Sequence, residues 1–385
     1  MARAAVEARR LGQSIWEDHI QRSEITSGEL ARRIEHEGLG GLTSNPTLFA
    51  EAIEHGSEYD ADLRALVARG VSQPGEIFER LALDDIRAAA RAFEPLFRHT
   101  GGRDGFVSYE VSPHLAHDTE ATVREALRLF AAIGRPNVMI KVPGTREGVP
   151  AISRLVAGGV NVNVTLLFAI DAYAAAAEAW LTGLERRAEA ERELGSVHGV
   201  ASFFVSRIDT AVDRRLSERL DQVRDAAERA RLGRLLGKAG IANAKLAYER
   251  FRATLASPRW QALAARGATP QRVLWASTST KDPRYPELLY AESLIGPDTV
   301  DTLPVATLRA FQARGRVRAT LSEGLEEARQ AMGELAAAGV RFREVTDQLL
   351  AEGVEKFARS YDELLEAIGR KRDALGAAAG EGASP

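Results

Sequence analysis

Cysteine is absent from this sequence of 385 residues. Its absence excludes disulfide bonds, thiolate nucleophiles, iron–sulfur clusters and zinc sites with cysteine ligands. An excess of charge of either sign is also missing, because 51 Lys and Arg residues nearly balance 54 Asp and Glu residues, for a net charge of −3. We therefore expect no nucleic-acid partner and no binding to an anionic membrane surface.

Long hydrophobic runs are missing as well. No uninterrupted apolar stretch approaches the 18 or more residues of a membrane-spanning helix. The first residues, MARAAVEARRLGQS, are charged and lack the apolar centre of a signal peptide. Hydrophobic residues nevertheless make up 45% of the chain, which is enough for a large core. The composition predicts a cytoplasmic globular protein without a membrane segment.

Short apolar segments alternate with long helical segments rich in Ala, Leu, Arg and Glu. Eight such candidate strands lie at 13–18, 38–45, 105–112, 137–143, 160–168, 199–206, 272–279 and about 299–305. Eight strands that alternate with helices are typical of a parallel (β/α)8 TIM barrel, an α/β fold of about 250 residues. A doubly wound open sheet is the alternative, but it usually has fewer strands.

The remaining length is assigned to helices. We predict a single (β/α)8 barrel domain over residues 1–375, with helical insertions near 178–198 and 213–240 and with C-terminal helices. The final segment, GAAAGEGASP at 376–385, is expected to be a disordered tail.

The predicted strands carry polar residues at alternate positions. Parallel strands covered on both faces should read as near-continuous hydrophobic runs. In 137–143, however, the apolar residues Val138, Ile140 and Val142 alternate with a second set of residues that includes Lys141. Segments 107–112 and 160–165 show the same alternation. Side chains alternate between the two faces of a strand. The apolar set fits packing beneath helices, so the polar set is expected to face the barrel interior.

Seven of these polar side chains fall near the C-terminal ends of successive strands. They are Asp18, Asn45, Glu110, Lys141, Asn163, Thr165 and Ser202. Active sites of such barrels lie at that end. Burial of a lysine and two carboxylates costs several kcal/mol per ion unless the charges are paired or solvated. Their convergence on one rim therefore indicates a functional site.

Each residue also has a structural interpretation. Lys141 would be exposed if the strand register were shifted by one residue. Asp18 could cap the following helix, and Glu110 could serve only as an ion-pair partner. Asn45 precedes Pro46 and could merely open a helix that has proline at its first position.

An inward lysine suggests carbonyl chemistry. A lysine in a partly desolvated pocket can attack a carbonyl and form a Schiff base. Glu110, one strand away from Lys141, suits the proton transfers of that reaction. Asp18 is the candidate for deprotonating a substrate hydroxyl while a carbon–carbon bond breaks. Amides and hydroxyls that can hold the hydroxyl groups of a sugar are supplied by Asn45, Asn163, Thr165 and Ser202.

The later strands indicate an anion site. Arg207 follows the sixth strand, and Ser277, Ser279 and Lys281 follow the seventh. Phosphate sites of these barrels often use the late loops, and arginine can bind phosphate with two parallel hydrogen bonds. The alternative is that Arg207 pairs with Asp209 or another helix carboxylate.

Six ordered motifs carry a resemblance to a known family. GLTSNPTLF, VSYEVSPHLAHDT, NVMIKVPGT, VNVNVTLLF, ASFFVSRID and LWASTSTKDP resemble the motif series of the transaldolases, most closely the longer bacterial form. The similarity runs in order from about residue 13 to 308. EGVEKFARSYDELL at 352–365 is similar to the last helix of the family.

The resemblance implies roles for individual residues. Lys141 would be the Schiff-base lysine and Asp18 the acid/base of bond cleavage, while Glu110 and Thr165 would position a catalytic water. Substrate hydroxyls and phosphate would be bound by Asn45, Asn163, Ser202, Arg207 and Ser277. Many relatives have an arginine shortly after that last serine. This chain reads Thr-Ser-Thr-Lys at 278–281, and we assign the missing charge to Lys281.

The implied reaction is transfer of a dihydroxyacetone unit in the pentose phosphate pathway. A ketose phosphate (sedoheptulose 7-phosphate or fructose 6-phosphate) would donate it to an aldose phosphate (glyceraldehyde 3-phosphate or erythrose 4-phosphate). No metal or organic cofactor is expected, and the protein would be a monomer or a homodimer. One alternative is a fructose 6-phosphate aldolase that releases dihydroxyacetone, although such aldolases tend to carry a glutamine in place of Glu110. Another is a catalytically silent barrel that binds sugar phosphates.

Overall fold

Eight parallel strands close into a barrel in sequence order in the computed structural model, which describes residues 4–44 and 46–381, with the backbone alone at 46 and 376–381. Each strand pairs in parallel with the next, and β8 pairs with β1. The strands are β1 Gln13–Glu17, β2 Leu39–Thr43, β3 Phe106–Glu110, β4 Val138–Pro143, β5 Val162–Leu167, β6 Gly199–Phe204, β7 Gln271–Ala276 and β8 Thr299–Leu303. The prediction of a (β/α)8 TIM barrel is confirmed.

Helices connect the strands and surround the barrel. They are α1 Ala4–Arg10, α2 Arg22–Thr26, α3 Glu29–Glu37, α4 Pro46–His55, α5 Asp60–Ala68, α6 Pro74–His99, α7 Thr119–Ile133, α8 Gly148–Gly158, α9 Ile170–Glu189, α10 Ser206–Gln222, α11 Ala226–Gly233, α12 Ala239–Leu255, α13 Pro258–Ala264, α14 Leu289–Ser293, α15 Val305–Arg314, α16 Leu325–Ala337 and α17 Phe342–Glu381. A 3-10 turn lies at Pro113–Leu115. No helix within the described residues is long and apolar enough to cross a membrane.

Side chains alternate between the two faces of each strand, and the apolar residues of the two faces belong to two separate clusters. Val107, Ile140, Val142, Val162 and Val164 belong to the large cluster between the strands and the outer helices. A smaller cluster contains residues of the opposite parity and includes Trp16, Phe106, Met139, Val200, Leu274 and Val300. These side chains fill the barrel interior below its C-terminal end. The inward orientation predicted for the polar parity is thereby confirmed.

The last helix, α17, lies at the C-terminal end of the barrel. It packs against α4, α5, α6 and α10, and it approaches the end of β5 closely. A Cβ atom on Gly353 would lie 2.9 Å from a methyl group of Leu166, so glycine permits this close approach. Further along, the Lys371 ammonium lies 3.0 Å from Asp60 and donates to the Gly56 carbonyl at 2.7 Å. These contacts hold the helix beside the mouth of the barrel.

The sequence predicts a disordered tail at 376–385, and α17 extends into the first part of this segment. The helix continues to Glu381. Residues 376–381 read GAAAGE, and alanine has the highest intrinsic helix propensity, which favours continuation of the helix. Residues 382–385 lie outside the described part of the chain.

Candidate active site

Lys141 lies near the end of β4, inside the barrel mouth, with only 8% of its side chain exposed. Its Nζ atom is 2.8 Å from Oε1 of Glu110 and donates to the Ser44 carbonyl at 3.4 Å. The two charged residues occupy paired positions of β3 and β4. The alternative of a register shift that exposes Lys141 is therefore excluded.

Glu110 is thus the ion-pair partner of Lys141, as its structural interpretation required. The pair nevertheless lies where a ligand can reach it, because both residues line cavities at the barrel mouth. A carboxylate at 2.8 Å from an ammonium can accept its proton directly. The ion pair and a catalytic role are therefore compatible.

Asp18 follows β1 and is half-buried. Its Oδ1 atom accepts a hydrogen bond of 2.7 Å from the hydroxyl of Thr43, and its backbone N–H donates to Leu303 at 3.0 Å. The next helix, α2, begins at Arg22 and has Gln21 as its N-cap residue. Asp18 is therefore not a helix cap, and its carboxylate faces the mouth of the barrel.

The floor of the site is a chain of hydrogen bonds across three strands. Ser202 donates to Oδ1 of Asn163 at 2.6 Å, and the Asn163 amide donates to the hydroxyl of Ser108 at 3.1 Å. Asn163 is fully buried, and Thr165 is 4% exposed on the next inward position of β5. Asn45, the remaining residue predicted from the strand ends, lies outside the described residues.

The backbone adopts an unusual conformation at two strand ends of the site. Leu166, directly after Thr165, has a φ of 61°, and Ser277, directly after β7, has a φ of 55°. Residues other than glycine rarely occupy this left-handed region, and such strain clusters at functional sites. The pairing of β5 with β6 is correspondingly irregular between Val164 and Leu167.

A cavity of about 600 Å3, here called the polar cavity, joins most of the predicted residues. Its lining includes Asp18, Lys141, Thr165, Ser202, Arg207, Ser277, Ser279 and Lys281. The structure therefore brings together residues from β1, β4, β5 and β6 and from the loop after β7. Thr43, Lys356 and Phe357 also line the cavity and were not predicted from the sequence.

Arg207 is held beside the loop after β7. Its neighbour Ser206 donates its backbone N–H to the Ser277 carbonyl at 3.0 Å, and the two hydroxyls lie 2.9 Å apart. Burial lowers the pKa of Arg207. Asp209, the carboxylate considered as its partner, instead accepts from Gly240 N at 2.7 Å and from the phenol of Tyr290 at 2.9 Å. The guanidinium is therefore directed to the cavity and not to Asp209.

Three cationic side chains meet at this end of the cavity. Lys281 donates to Ser279 at 2.7 Å, and its pKa is lowered by desolvation and by repulsion from Arg207 and Lys356. Such repulsion is relieved when an anion binds between the positive charges. Lys356 comes from α17 and has no distinguishing sequence signal, since it is one basic residue on a charged helix.

Phe357, the next residue of α17, places its ring centroid 5.8 Å from the Nζ atom of Lys141. The ring excludes water from one side of the amine. Within the described residues, no group of three or more His, Asp or Glu side chains is arranged to hold a metal ion.

Comparison with known proteins agrees with this geometry. The sequence profile described as Transaldolase/Fructose-6-phosphate aldolase matches residues 15–368. The chain is 44% identical to the transaldolase of Trichodesmium erythraeum (strain IMS101), over 95% of this chain and 97% of that protein. It is 45% identical to the transaldolase of Thermobifida fusca (strain YX), over 94% and 96% of the two chains. It is also 46% identical to the transaldolase of Parafrankia sp. (strain EAN1pec), over 96% and 97%.

Proposed function

This chain belongs to the transaldolase/fructose-6-phosphate aldolase family and is a transaldolase, and we propose that Lys141 carries its substrate as a Schiff base. The observation that carries the proposal is the 2.8 Å contact between Lys141 and Glu110 at the edge of the polar cavity. The reaction belongs to the pentose phosphate pathway. It transfers a dihydroxyacetone unit from sedoheptulose 7-phosphate or fructose 6-phosphate to glyceraldehyde 3-phosphate or erythrose 4-phosphate.

Imine formation begins with a proton transfer from the Lys141 ammonium to Glu110. The free amine attacks the ketose carbonyl to give a carbinolamine. Glu110 then returns the proton to the carbinolamine hydroxyl, which leaves as water while the C=N bond forms. Thr165, buried beside Lys141 in the same cavity, positions this water together with Glu110.

Cleavage requires a base on the other side of the substrate. Asp18 removes the proton from the hydroxyl on the carbon beyond the bond that breaks. The electrons of that bond move into the imine and leave an enamine on Lys141, while the shortened aldose departs. An incoming aldose phosphate is attacked by the enamine, and its new hydroxyl takes the proton from Asp18. Water then hydrolyses the resulting imine, in the reverse of its formation, and the new ketose phosphate leaves Lys141. Ser202 and, beneath it, Asn163 support the substrate hydroxyls, and Asn45 is assigned to the same role.

The phosphate group of the sugar is bound at the cationic end of the polar cavity. Arg207 and Ser277 supply hydrogen-bond donors, since charge-assisted bonds from arginine are among the strongest in proteins. Lys281 and Lys356 add positive charge from the loop after β7 and from α17. The lysine at 281 thus takes the place of the arginine that many relatives carry in this loop.

The cellular location of the enzyme is inferred from its substrates. Sugar phosphates are charged metabolites that do not cross a bilayer unaided, so we place the reaction in the cytoplasm. Residues 1–375 are proposed to form one domain with the insertions near 178–198 and 213–240, active as a monomer or a homodimer.

Borohydride trapping tests the proposal. The protein is incubated with fructose 6-phosphate and reduced, and the adduct is located by peptide mass spectrometry. A reduced dihydroxyacetone adduct on Lys141 is expected. If Lys141 stays unmodified although fructose 6-phosphate is shown independently to bind, the protein is a barrel that binds sugar phosphates without forming the imine.

A second measurement separates transfer from simple aldol cleavage. Turnover of fructose 6-phosphate is followed with and without erythrose 4-phosphate or glyceraldehyde 3-phosphate. We expect turnover only with the acceptor, because Glu110 carries a carboxylate where the aldolases tend to have glutamine. Release of free dihydroxyacetone at the same rate without an acceptor would assign the aldolase reaction.

A further inference from the structure

A second cavity, here called the apolar chamber, opens at Lys141 on the side of β3. It has a volume of about 80 Å3 and lies between β3, α4, α6, α7 and α17. Its walls include Phe49, Phe78, Ala82, Tyr109, Leu129 and Tyr361. A volume of this size holds several water molecules or one small organic molecule.

The apolar chamber and the polar cavity meet at the reactive amine. Lys141, Ser44, Thr165 and Phe357 line both of them. Arg207, Lys281 and Lys356 line the polar cavity, whereas Glu110 lines the apolar chamber. A carbonyl group at Lys141 can therefore have its substituent on either side, in a cationic or in an apolar environment.

The walls of the chamber are largely aromatic, and their rings pack against one another. Phe78 packs edge-on against Phe49 at 5.3 Å and against Tyr361 at 5.8 Å between ring centroids. Such rings offer a large apolar surface with little conformational freedom to lose on binding. The chamber therefore suits an alkyl or aryl group better than a sugar.

Acidic side chains in the walls are already engaged. Asp85 accepts from Arg22 at 2.7 Å and from Tyr59 at 2.8 Å. Glu79 and Glu125 both bind Arg128. Their charges are thus neutralised locally, which leaves the chamber apolar in character.

Two phenols of the chamber lack a hydrogen-bond partner within the described residues. Tyr109 is 7% exposed, and burial raises its pKa; burial also raises the pKa of Tyr361. Neither hydroxyl is among the buried polar atoms that lack a partner, so both keep accessible surface through which water or a ligand can reach them. A ligand that carries one polar atom on an apolar body could satisfy a phenol without filling the chamber with polar groups.

We propose that the apolar chamber admits a small aldehyde or ketone with an apolar body, whose carbonyl carbon condenses with Lys141. This inference rests on the proposed role of Lys141 as nucleophile. The amine adds to the carbonyl after Glu110 takes the ammonium proton, and the carbinolamine oxygen leaves as water with a proton returned by Glu110. The product is an imine on Lys141 that excludes sugar phosphates for as long as it persists.

The test compares two aldehydes on the wild-type protein. Butanal has an apolar body, and glyceraldehyde is a polar aldehyde of similar size. Each is added at the same low concentration, reduced with borohydride and located by peptide mass spectrometry, with exposed Lys238 as the internal reference. We expect the ratio of Lys141 to Lys238 modification to be about tenfold higher with butanal than with glyceraldehyde, from the burial of its methylene groups.

A chamber-filling variant supplies the control for intrinsic reactivity. Ala82→Leu extends a side chain of α6 into the chamber, whereas Ala92→Leu enlarges a side chain of the same helix elsewhere. Only Ala82→Leu should lower the butanal adduct on Lys141, again about tenfold. Fructose 6-phosphate is trapped in parallel with every variant, to show that the amine still reacts.

The outcomes separate this inference from the proposed function. If wild-type Lys141 forms no adduct with fructose 6-phosphate, the proposed nucleophile is wrong. If it does, but butanal shows no preference over glyceraldehyde, the apolar chamber is not a binding site. The wild-type comparison decides this even if Ala82→Leu does not fold. A butanal adduct that Ala82→Leu and Ala92→Leu leave equally unchanged would also overturn the inference.

Discussion

The Lys141 ammonium and the Glu110 carboxylate lie 2.8 Å apart at paired positions of adjacent strands. The register of β3 and β4 therefore determines the distance between the proposed proton donor and its acceptor. A shift of one residue would turn one of the two side chains to the outer face of the barrel. The pairing of β3 with β4 thus holds the ammonium and the carboxylate next to each other.

Replacement of Glu110 by glutamine should slow imine formation. Glutamine keeps the shape of the side chain but cannot accept the ammonium proton, so we expect kcat to fall by about 10²–10⁴-fold. Single-turnover trapping with borohydride should show the same loss in the rate of adduct formation. An unchanged rate would mean that another group takes the proton and that Glu110 is only the counter-ion of Lys141.

Lys141→Arg should abolish turnover. A guanidinium stays protonated and cannot form an imine, while it keeps the positive charge beside Glu110. We expect kcat to fall by at least about 10³-fold, with no borohydride-stable adduct. Circular dichroism provides the control for folding. Normal activity in a folded variant would remove Lys141 from the role of nucleophile.

Loss of a cation from the polar cavity should weaken binding of the phosphate group. Arg207→Ala and Lys356→Ala should each raise KM for fructose 6-phosphate by roughly 10–100-fold, since hydrogen bonds to charged groups contribute about 1.5–3 kcal/mol. Reaction with free dihydroxyacetone should change far less.

Arg359→Ala is the matched control for Lys356→Ala, because this exposed arginine of α17 pairs with Glu355 on the same helix. It should leave KM unchanged. Equal losses with phosphorylated and free substrates in Arg207→Ala would show that Arg207 has a structural role.

Asp209 should make stability depend on pH. Burial raises the pKa of its carboxyl from 3.8 to about 6. The folded state therefore holds this proton more tightly than the unfolded chain, and the contribution of Asp209 to stability falls as pH rises from about 4 to about 6 and then levels off. Two pKa units correspond to about 3 kcal/mol.

Asp209→Asn should remove this slope, because the amide does not ionise. Urea unfolding at pH 4.5 and pH 7 measures the difference, with Asp221→Asn at an exposed position of α10 as the control. A wild-type slope that persists in Asp209→Asn would assign the titration to another group, with Asp301 the first candidate because burial raises its pKa to about 7.

The site residues on the strands could be predicted because successive side chains of a strand point to opposite faces. Once the alternate apolar set is placed beneath the helices, Glu110, Lys141 and Thr165 must face inward. The fold followed from the same pattern, since eight such strands between helices match one common architecture.

The contributions of α17 and of the loops could not be read in this way. Lys356 and Phe357 reach the cavity because a helix far along the chain docks at the barrel mouth, which depends on long-range packing. The contact between Asp209 and Tyr290 joins residues 81 positions apart. The sequence contains the groups but no local period that relates them, and the same holds for the walls of the apolar chamber.

The position of α17 also sets the order in which a newly made chain becomes an enzyme. Translation proceeds from the N-terminus, so all eight strands are complete before Gly353, Lys356 and Phe357 are synthesised. The strand that carries Lys141 is thus made long before the ring that lies against its amine. Loss of the last helix by proteolysis would remove Lys356 and Phe357 from the polar cavity, and we expect such a chain to bind phosphorylated sugars less tightly.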